Sequence, residues 1–222
     1  MLQMKMLVVF EKHPRIRHIG HLDLMRAMQR ALRRSGLHVK FSQGFNPHLL
    51  ITFAAPLSVG MPGRREIMEI PLAAETDEKE FLEKLNAALP PELNCLSARR
   101  VEDKHPASMA SLYAAEYEIQ VAPEGTALCD AVPSFMAQET IMALRKTKSG
   151  EKLIDIKPLI YKLEVISPSV IRCTLALSEA ATCKCDLLLD ALCAHAGLEA
   201  RPHTLCTRLQ MFGKDLIPLE LL

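Results

Sequence analysis

The order of extended and helical segments is the feature that most constrains the fold of this chain. Over the first hundred residues, apolar periodicity predicts strand, helix, strand, strand, helix and strand, and a similar order returns after residue 112. This order is typical of the ferredoxin-like, split βαβ unit. We therefore predict an α+β protein of two tandem ferredoxin-like (βαββαβ) units with antiparallel sheets, in residues 1–101 and 113–222.

Residues that interrupt or cap regular secondary structure support this division into two units. Lys104, His105 and Pro106 mark the predicted boundary, near residues 102–112. Pro133 is expected to shorten or kink one helix, and Thr76 is a candidate cap for another. A half-exposed strand is predicted at His38–Ser42 and a longer one at Leu2–Phe10. The predicted helices are Leu22–Leu32, Thr76–Ala88, Thr126–Glu139 and Asp186–His195.

Composition limits the class of protein. The 222 residues are 49% hydrophobic and 24% charged, which is typical of a soluble globular protein. No apolar run approaches the roughly 20 residues that cross a bilayer, and the segment MLQMKMLVVF is too short for a signal peptide. Seven cysteines, an odd number without framework spacing, favour reduced thiols and a cytoplasmic location. We expect no membrane partner.

The segment from His18 to Pro47 combines a helix with a turn and a loop. Leu24, Met25, Met28, Ala31 and Leu32 recur at helical spacing and predict one buried face. Gly36 is expected to stop this helix. Its other face carries arginines one turn apart, which are Arg26, Arg30, Arg33 and Arg34.

Positive charge is concentrated around this helix. Residues 12–40 hold eight Lys or Arg and one acid, Asp23, a local net charge of +7 in a chain whose net charge is +1. Such clustering attracts polyanions, but a merely solvated helix face has the same pattern, and the sequence leaves both interpretations open. A second basic run extends from Arg145 to Lys157. The basic residues of the first cluster are Lys12, Arg15, Arg17, Arg26, Arg30, Arg33, Arg34 and Lys40.

The loop SQGFNPH, residues 42–48, is a second candidate contact surface. Gly44 and Pro47 allow a tight turn with Phe45 at its tip. An exposed Phe45 can stack on an unpaired base, while Gln43 and Asn46 offer hydrogen bonds to base edges. In the competing interpretation Phe45 turns inward to fill the space between helix and sheet, which the scarcity of aromatic residues favours.

Histidine near the start of the basic helix allows a catalytic interpretation. His21 can serve as general base for attack by a ribose 2′-hydroxyl, with Arg15, Arg17 and Arg26 stabilising the phosphorane. Such a site resembles that of metal-independent CRISPR-repeat endoribonucleases, although no glycine-rich loop follows near the C-terminus. His18 is the other histidine of this segment. In the alternative, His21 only caps or packs and Asp23 accepts backbone N–H bonds.

Cysteine spacing argues against a metal or an iron–sulfur cluster. Cys183, Cys185 and Cys193 lack the Cys-x3-Cys-x2-Cys spacing of radical enzymes, and no second Cys pair completes a zinc site. Cys183 and Cys185 remain candidates for a soft-metal or redox pair, but buried thiols fit their context better. We predict neither a metal nor a cofactor.

Several blocks carry a family resemblance. HLDLMRA, RALRRSGL and SQGFNPH, with IDIKPLI later in the chain, resemble the radical SAM-linked protein family, an uncharacterised bacterial domain. Members stand alone or are fused to cobalamin-binding-type radical S-adenosylmethionine proteins, so the resemblance implies such a partner and, through neighbouring ribosome and ribonuclease genes, RNA. The segment ATCKCD departs from relatives, which are richer there in Gly, Arg and Pro.

These observations predict a non-catalytic RNA-binding accessory protein. It would act with a radical S-adenosylmethionine enzyme in modification or processing of tRNA or rRNA. The alternatives are a metal-independent endoribonuclease that uses His21 and a protein–protein adaptor for the radical enzyme. The predicted RNA contacts are Arg15, Arg17, Arg26, Arg30, Arg33, Arg34, Lys40, Gln43, Phe45 and Asn46.

Overall fold

The computed structural model of the protein describes residues 4–102, 104–147 and 150–222. It is an α+β fold with ten strands and five α-helices among the described residues. The chain divides into two compact units, one of Met1–Leu112 with Gln210–Leu222 and one of Tyr113–Leu209. The predicted ranges, 1–101 and 113–222, differ from these units in residues 102–112 and 210–222.

The first unit is built on three long antiparallel strands. Strand β1 (Met4–Lys12) lies between β3 (Gly63–Pro71) and β4 (Leu93–Glu102), and the short β2 (Thr52–Phe53) pairs with the other side of β3. In chain order the elements are β1 (Met4–Lys12), α1 (His21–Arg34), β2 (Thr52–Phe53), β3 (Gly63–Pro71), α2 (Glu78–Ala88), β4 (Leu93–Glu102) and α3 (Ser108–Ser111).

Local details of this unit differ from the sequence prediction at two points. The predicted strand His38–Ser42 is wrong, because only Val39 and Phe41 form isolated bridges there. Helix α2 begins with Asp77 as its cap, whose Oδ1 accepts hydrogen bonds from the backbone N–H of Lys79 (2.9 Å) and Glu80 (3.1 Å). The prediction of Thr76 as the cap of this helix is therefore wrong. The strand predicted at Leu2–Phe10 begins outside the described residues.

Burial of β1 on both faces explains its nearly continuous apolar sequence. Met6, Val8 and Phe10 belong to the core under α1 and α2, while Leu7 and Val9 on the opposite face are also buried. Helix α1 contributes its predicted apolar side to the same core. Its buried residues are Leu24, Met28, Ala31 and Leu32.

A charged pair is also buried in this unit. The Lys5 ammonium on β1 donates to Glu69 Oε2 on β3 (2.8 Å) and to the carbonyl oxygen of His105 (3.0 Å). Glu69 Oε1 accepts from both the backbone N–H and the hydroxyl of Ser108 (2.6 Å each). Burial raises the pKa of Glu69, but the hydrogen bonds from Lys5 and Ser108 outweigh it and leave that pKa below its ordinary value of 4.5.

The second unit has an antiparallel set of strands and a separate hairpin. Strand β9 (Val170–Ala176) lies between β5 (Ala114–Val121) and β8 (Ile160–Ser167), whereas β6 (Met142–Thr147) and β7 (Gly150–Asp155) pair with each other. Strand β10 (Thr204–Phe212) starts in this unit, and its last three residues belong to the first. In chain order the elements are β5 (Ala114–Val121), α4 (Ala127–Met136), β6 (Met142–Thr147), β7 (Gly150–Asp155), β8 (Ile160–Ser167), β9 (Val170–Ala176), α5 (Cys185–His195) and β10 (Thr204–Phe212).

Helices α4 and α5 pack against each other in this unit. Ser134 Oγ and His195 Nε2 are 2.9 Å apart, and the His195 ring meets Phe135 edge-on with ring centroids 5.5 Å apart. Helix α4 tolerates Pro133 in its interior but ends at Met136, three residues before its predicted end. Among the residues described, no helix has both the length and the apolarity that crossing a bilayer requires.

The buried side of α1 gives the first testable prediction. Replacing the fully buried Met28 by Ala should lower the free energy of unfolding by about 2–5 kcal/mol, because it leaves a cavity. Met28→Asp should prevent folding of the first unit, since it buries an unpaired carboxylate. Urea unfolding followed by circular dichroism measures both, with Arg30→Ala on the exposed side as a control expected within about 0.5 kcal/mol. A free energy of unfolding of Met28→Asp equal to that of the wild type would contradict the burial of Met28.

The buried pair predicts a pH-dependent stability difference. Glu69→Gln should cost about 3–5 kcal/mol near neutral pH, because it leaves the Lys5 ammonium without its counter-charge. Since the folded pKa of Glu69 lies below 4.5, its contribution is complete above the unfolded pKa and is lost as the pH falls through the folded pKa. The stability gap between wild type and Glu69→Gln should therefore narrow below about pH 4.5. A gap that is constant from pH 7 to pH 3 in denaturant titrations would rule this out.

Candidate nucleic-acid interface

A buried lysine shapes the basic loop that precedes α1. The Lys12 ammonium at the end of β1 donates to the carbonyl oxygens of Arg17 (2.9 Å) and Ile19 (2.8 Å). This loop holds Arg15 exposed, whereas Arg17 is half-buried and donates from Nη1 to the carbonyl oxygen of Pro14 (3.2 Å). The Arg15 side chain is thus accessible to solvent, whereas part of the Arg17 guanidinium is used to stabilise the turn in which Arg17 lies.

The arginines of α1 divide into engaged and unengaged groups. Arg26 donates to Asp23 Oδ1 (2.9 Å), and Arg34 donates to the carbonyl oxygen of Ala88 at the end of α2 (2.7 Å). Asp23 therefore binds a side chain of its own helix in addition to favouring the helix dipole. Arg30 and Arg33 are exposed and form no ion pair within the part of the chain that the structure describes. These two guanidinium groups are the cations of α1 that remain available for an external anion.

The loop 42–48 is closed at its base. Ser42 N–H donates to the carbonyl oxygen of His48 (2.8 Å), and His48 N–H donates to Ser42 Oγ (3.1 Å). The Ser42 hydroxyl also lies 2.8 Å from His48 Nδ1, and Phe41 bridges to Leu49 just outside the loop. The ends of the loop are thus fixed by hydrogen bonds rather than by burial of its tip.

Phe45 projects into solvent from the tip of this loop. Its relative exposure is 106%, so the interpretation in which Phe45 fills the space between helix and sheet is wrong. Gln43 and Asn46 beside it are exposed too, and their side chains hydrogen-bond to none of the described residues. Lys40, at the entry to the loop, is half-buried and its backbone N–H donates to the carbonyl oxygen of Pro71 (2.9 Å).

One hydrogen bond ties the loop to α1. Gln29 Nε2 on the helix donates to the carbonyl oxygen of Leu49, the residue that follows the loop (3.2 Å). Arg26 and Arg33 lie three residues before and four residues after Gln29, so they are its neighbours along one side of the helix. We refer to Arg26, Arg30 and Arg33 together with loop 42–48 as the α1–loop surface. The sequence prediction missed Gln29 and the role of Lys12, because both act on backbone atoms of distant residues.

His21 occupies a packing position at the first residue of α1. Its ring is half-buried and meets Phe53 edge-on, with ring centroids 5.3 Å apart. The helix cap is Gly20, which makes no side-chain hydrogen bond, and His18 is exposed in the preceding loop. The structure thus places the His21 ring in an aromatic contact with Phe53 of the core.

The cysteines are free thiols in the structure. Burial raises the pKa of Cys183 to about 11, against a lowering by the nearby charge of Arg145. The pKa of Cys185 is raised well above 9.0, first by a thiol hydrogen bond with Cys173 and also by burial. Protonated, buried thiols are poor nucleophiles and poor ligands. Within the described ranges, no group of three or more His, Cys, Asp or Glu is arranged to hold a metal ion.

Comparison with protein families identifies one family whose model matches most of the chain. Residues 5–185 match the model of a family described as an uncharacterised protein conserved in bacteria, DUF2344. The chain belongs to the DUF2344 family. The match includes β1, α1, the loop 42–48 and most of the second unit, so the α1–loop surface lies within the DUF2344 domain. A comparison with curated proteins finds no match to this chain.

The exposure of Phe45 in this DUF2344 chain predicts that its removal is harmless to folding. Phe45→Ala should change the free energy of unfolding by less than about 0.5 kcal/mol. Phe53→Ala, at a position that is 5% exposed and packs on Phe10 and His21, should cost about 3–5 kcal/mol. Thermal and denaturant melts of the two variants measure the contrast. A comparable loss in both variants would show that Phe45 is part of the core.

Proposed function

We propose that the chain binds single-stranded RNA through the α1–loop surface. In this proposal it is a non-catalytic accessory protein that acts with a radical S-adenosylmethionine enzyme in RNA modification or processing. The observation that carries the proposal is the full exposure of Phe45 on a loop that is closed by hydrogen bonds and tied to the arginine side of α1. Proteins that bind single-stranded nucleic acids stack bases on exposed aromatic rings next to basic side chains, and the exposed Phe45 with the arginines of α1 supplies both kinds of group.

The chemistry of the surface fits an unpaired strand better than a duplex. Arg30 and Arg33 can contact phosphates, and the flat ring of Phe45 can stack on a base that is not already paired. Gln43 and Asn46 supply both donors and acceptors next to that ring, as reading of an exposed base edge requires. Arg26 would join after release of Asp23, an exposed pair that costs little to break.

The radical S-adenosylmethionine partner rests on the resemblance of the HLDLMRA, RALRRSGL and SQGFNPH blocks. Two of these blocks form α1, and the third is the loop that presents Phe45. Three of the four blocks that carry the resemblance therefore contribute to the proposed RNA surface, and the fourth, IDIKPLI, lies in the second unit. A division of labour follows, in which this chain holds the RNA and the partner supplies the radical chemistry.

The finer fold assignment is also part of this proposal. We infer that each unit is ferredoxin-like, because the antiparallel order β4-β1-β3-β2 matches that of a βαββαβ unit. The order β10-β5-β9-β8 matches it again if the hairpin β6–β7 is an insertion after α4. In this assignment loop 42–48 belongs to the connection between the first helix and the second strand.

A second candidate function is a protein–protein adaptor, and one observation favours it. Leu22 and Val59 are 62% and 66% exposed, and Val59 lies beside Gly20 at the start of α1. Exposed aliphatic side chains near the same helix suit a protein partner as well as solvent. This candidate predicts that RNA affinity does not depend on the arginines of α1.

Salt dependence of RNA binding tests the proposed function. Three to five phosphate contacts on single-stranded RNA give a log–log slope of about −2 to −3.5 between affinity and salt concentration. Changing Arg30 and Arg33 to Glu should weaken binding more than about tenfold and flatten the slope, because two of those contacts are lost. Fluorescence anisotropy with a labelled unstructured RNA at several salt concentrations measures both quantities.

Two controls make this experiment decisive. Lys79→Glu with Lys84→Glu makes the same charge change on the exposed side of α2 and should leave the slope unchanged. Phe45→Ala should weaken binding of single-stranded RNA through lost stacking, about 1–3 kcal/mol per base, but not binding of a duplex. Should the Arg30, Arg33 variant bind RNA as tightly as wild type, the RNA proposal fails and the adaptor takes its place.

A further inference from the structure

A cavity of about 420 Å³ is lined entirely by residues of the second unit, and none of them belongs to the α1–loop surface. It is lined by residues of β6 and by the first turns of α5. Its volume falls in the range of about 300–1,000 Å³ that is usual for small-molecule sites. The proposed RNA surface makes no use of this cavity, and the sequence pointed to it only through the basic run that begins at Arg145.

Three cations line the cavity. Arg145 donates from Nη2 to the carbonyl oxygen of Thr182, which fastens the hairpin to the segment before α5. Lys146 lies 3.8 Å from Glu151 in an exposed and weak pair, and the Lys184 side chain has no hydrogen-bond partner among the described residues. Lys146 and Lys184 are therefore free to bind an anion, with Arg145 holding the wall in place. Lys148 of the same basic run lies outside the described residues.

The carboxylates of the cavity are already neutralised in part. Asp186 and Asp190, one turn apart on α5, both accept from the guanidinium of Arg201, at 2.9 and 3.4 Å. Each of these bonds uses Oδ1, so the second oxygen of each carboxylate remains an acceptor. The cavity can therefore receive an anion at its lysines and accept hydrogen bonds from hydroxyl or amino groups at its aspartates.

Apolar surface completes the set of groups. Leu144 of β6 is 49% exposed and lines the cavity together with Leu187 of α5. A ligand that satisfies all three kinds of group carries a phosphate, hydroxyl groups and a flat apolar ring. Nucleotides combine these features, whereas a simple anion would leave the leucines and aspartates without a contact.

We propose that this cavity binds a nucleotide, with its phosphate on Lys146 and Lys184, its ribose hydroxyls toward Asp186 and Asp190, and its base against the two leucines. The same chemistry is offered by a free mononucleotide and by the 5′-phosphorylated end of an RNA. This inference goes beyond the proposed function, and it does not depend on the arginines of α1.

Calorimetric titration of the full chain with AMP tests the site. AMP should bind, while adenosine and inorganic phosphate should each bind about tenfold more weakly or worse, because each leaves part of the cavity unfilled. Lys184→Glu should weaken AMP binding about tenfold or more. Lys152→Glu is the matched control, since it makes the same charge change on the paired strand β7 at a residue that does not line the cavity.

A second pair of variants distinguishes an electrostatic effect on AMP binding from a loss of binding that is caused by misfolding. Arg201→Ala should also weaken AMP binding, because it leaves two carboxylates uncompensated beside the phosphate. Adding Asp186→Asn to Arg201→Ala should restore part of the affinity, which a misfolded domain would not do. Absence of AMP binding in wild type, an equal loss in Lys152→Glu and Lys184→Glu, or no rescue by Asp186→Asn would each overturn the proposal.

Competition then identifies the source of the nucleotide. If a short 5′-phosphorylated RNA displaces AMP and its 5′-hydroxyl counterpart does not, the site takes an RNA end. If neither displaces AMP, the site takes a free nucleotide. The Arg30→Glu, Arg33→Glu variant should retain AMP binding in either case, so failure of the RNA proposal and failure of the nucleotide site give different results.

Discussion

Strand β1 has neighbours on both edges and is buried on both faces, and much of the first unit depends on this position. A strand so enclosed cannot leave a polar group without a partner, because water does not reach it. Yet β1 carries a buried lysine near each end, Lys5 and Lys12. Lys5 binds Glu69 and the carbonyl oxygen of His105, and Lys12 binds the carbonyl oxygens of the basic loop. The two ammonium groups therefore fix segments that would otherwise be loosely held.

Helix α1 links this core to the candidate interface. Its buried side rests on the strands with Met28 at the centre, and that packing fixes the rotation of the helix about its axis. Once the rotation is fixed, Arg30 and Arg33 point to solvent and Gln29 reaches the carbonyl oxygen of Leu49. The burial of Leu49 in the core and its hydrogen bond from Gln29 thus help to position the loop that bears Phe45 relative to the arginines.

Local periodicity explains how much of this fold the sequence could predict. Helix α1 was predictable because its apolar residues recur over several turns, and β1 was predictable because its apolar residues form a nearly continuous run. The strand at His38–Ser42 was predicted wrongly, because alternation over five residues does not supply a partner for pairing. The pair of Lys5 and Glu69 joins residues 64 positions apart, and no local pattern announces such a contact.

The direction of Phe45 was equally hidden from the sequence. A single aromatic residue in a turn belongs to no period, so composition alone had to decide between core and surface. In the structure Ser42 and His48 close the base of the loop by hydrogen bonds, and Phe45 at the tip is exposed. In the second unit the basic run at Arg145 was visible, but its combination with Lys184 and Asp186 required the packing of the hairpin on α5.

The way in which Lys12 holds the basic loop bears on how that loop can evolve. Its ammonium binds the carbonyl oxygens of Arg17 and Ile19, which every amino acid provides. Substitutions at these two positions would therefore keep both carbonyl acceptors of the Lys12 ammonium. The exposed side chains of the loop can then vary under selection for a ligand, while the backbone beneath them keeps its two hydrogen bonds to Lys12.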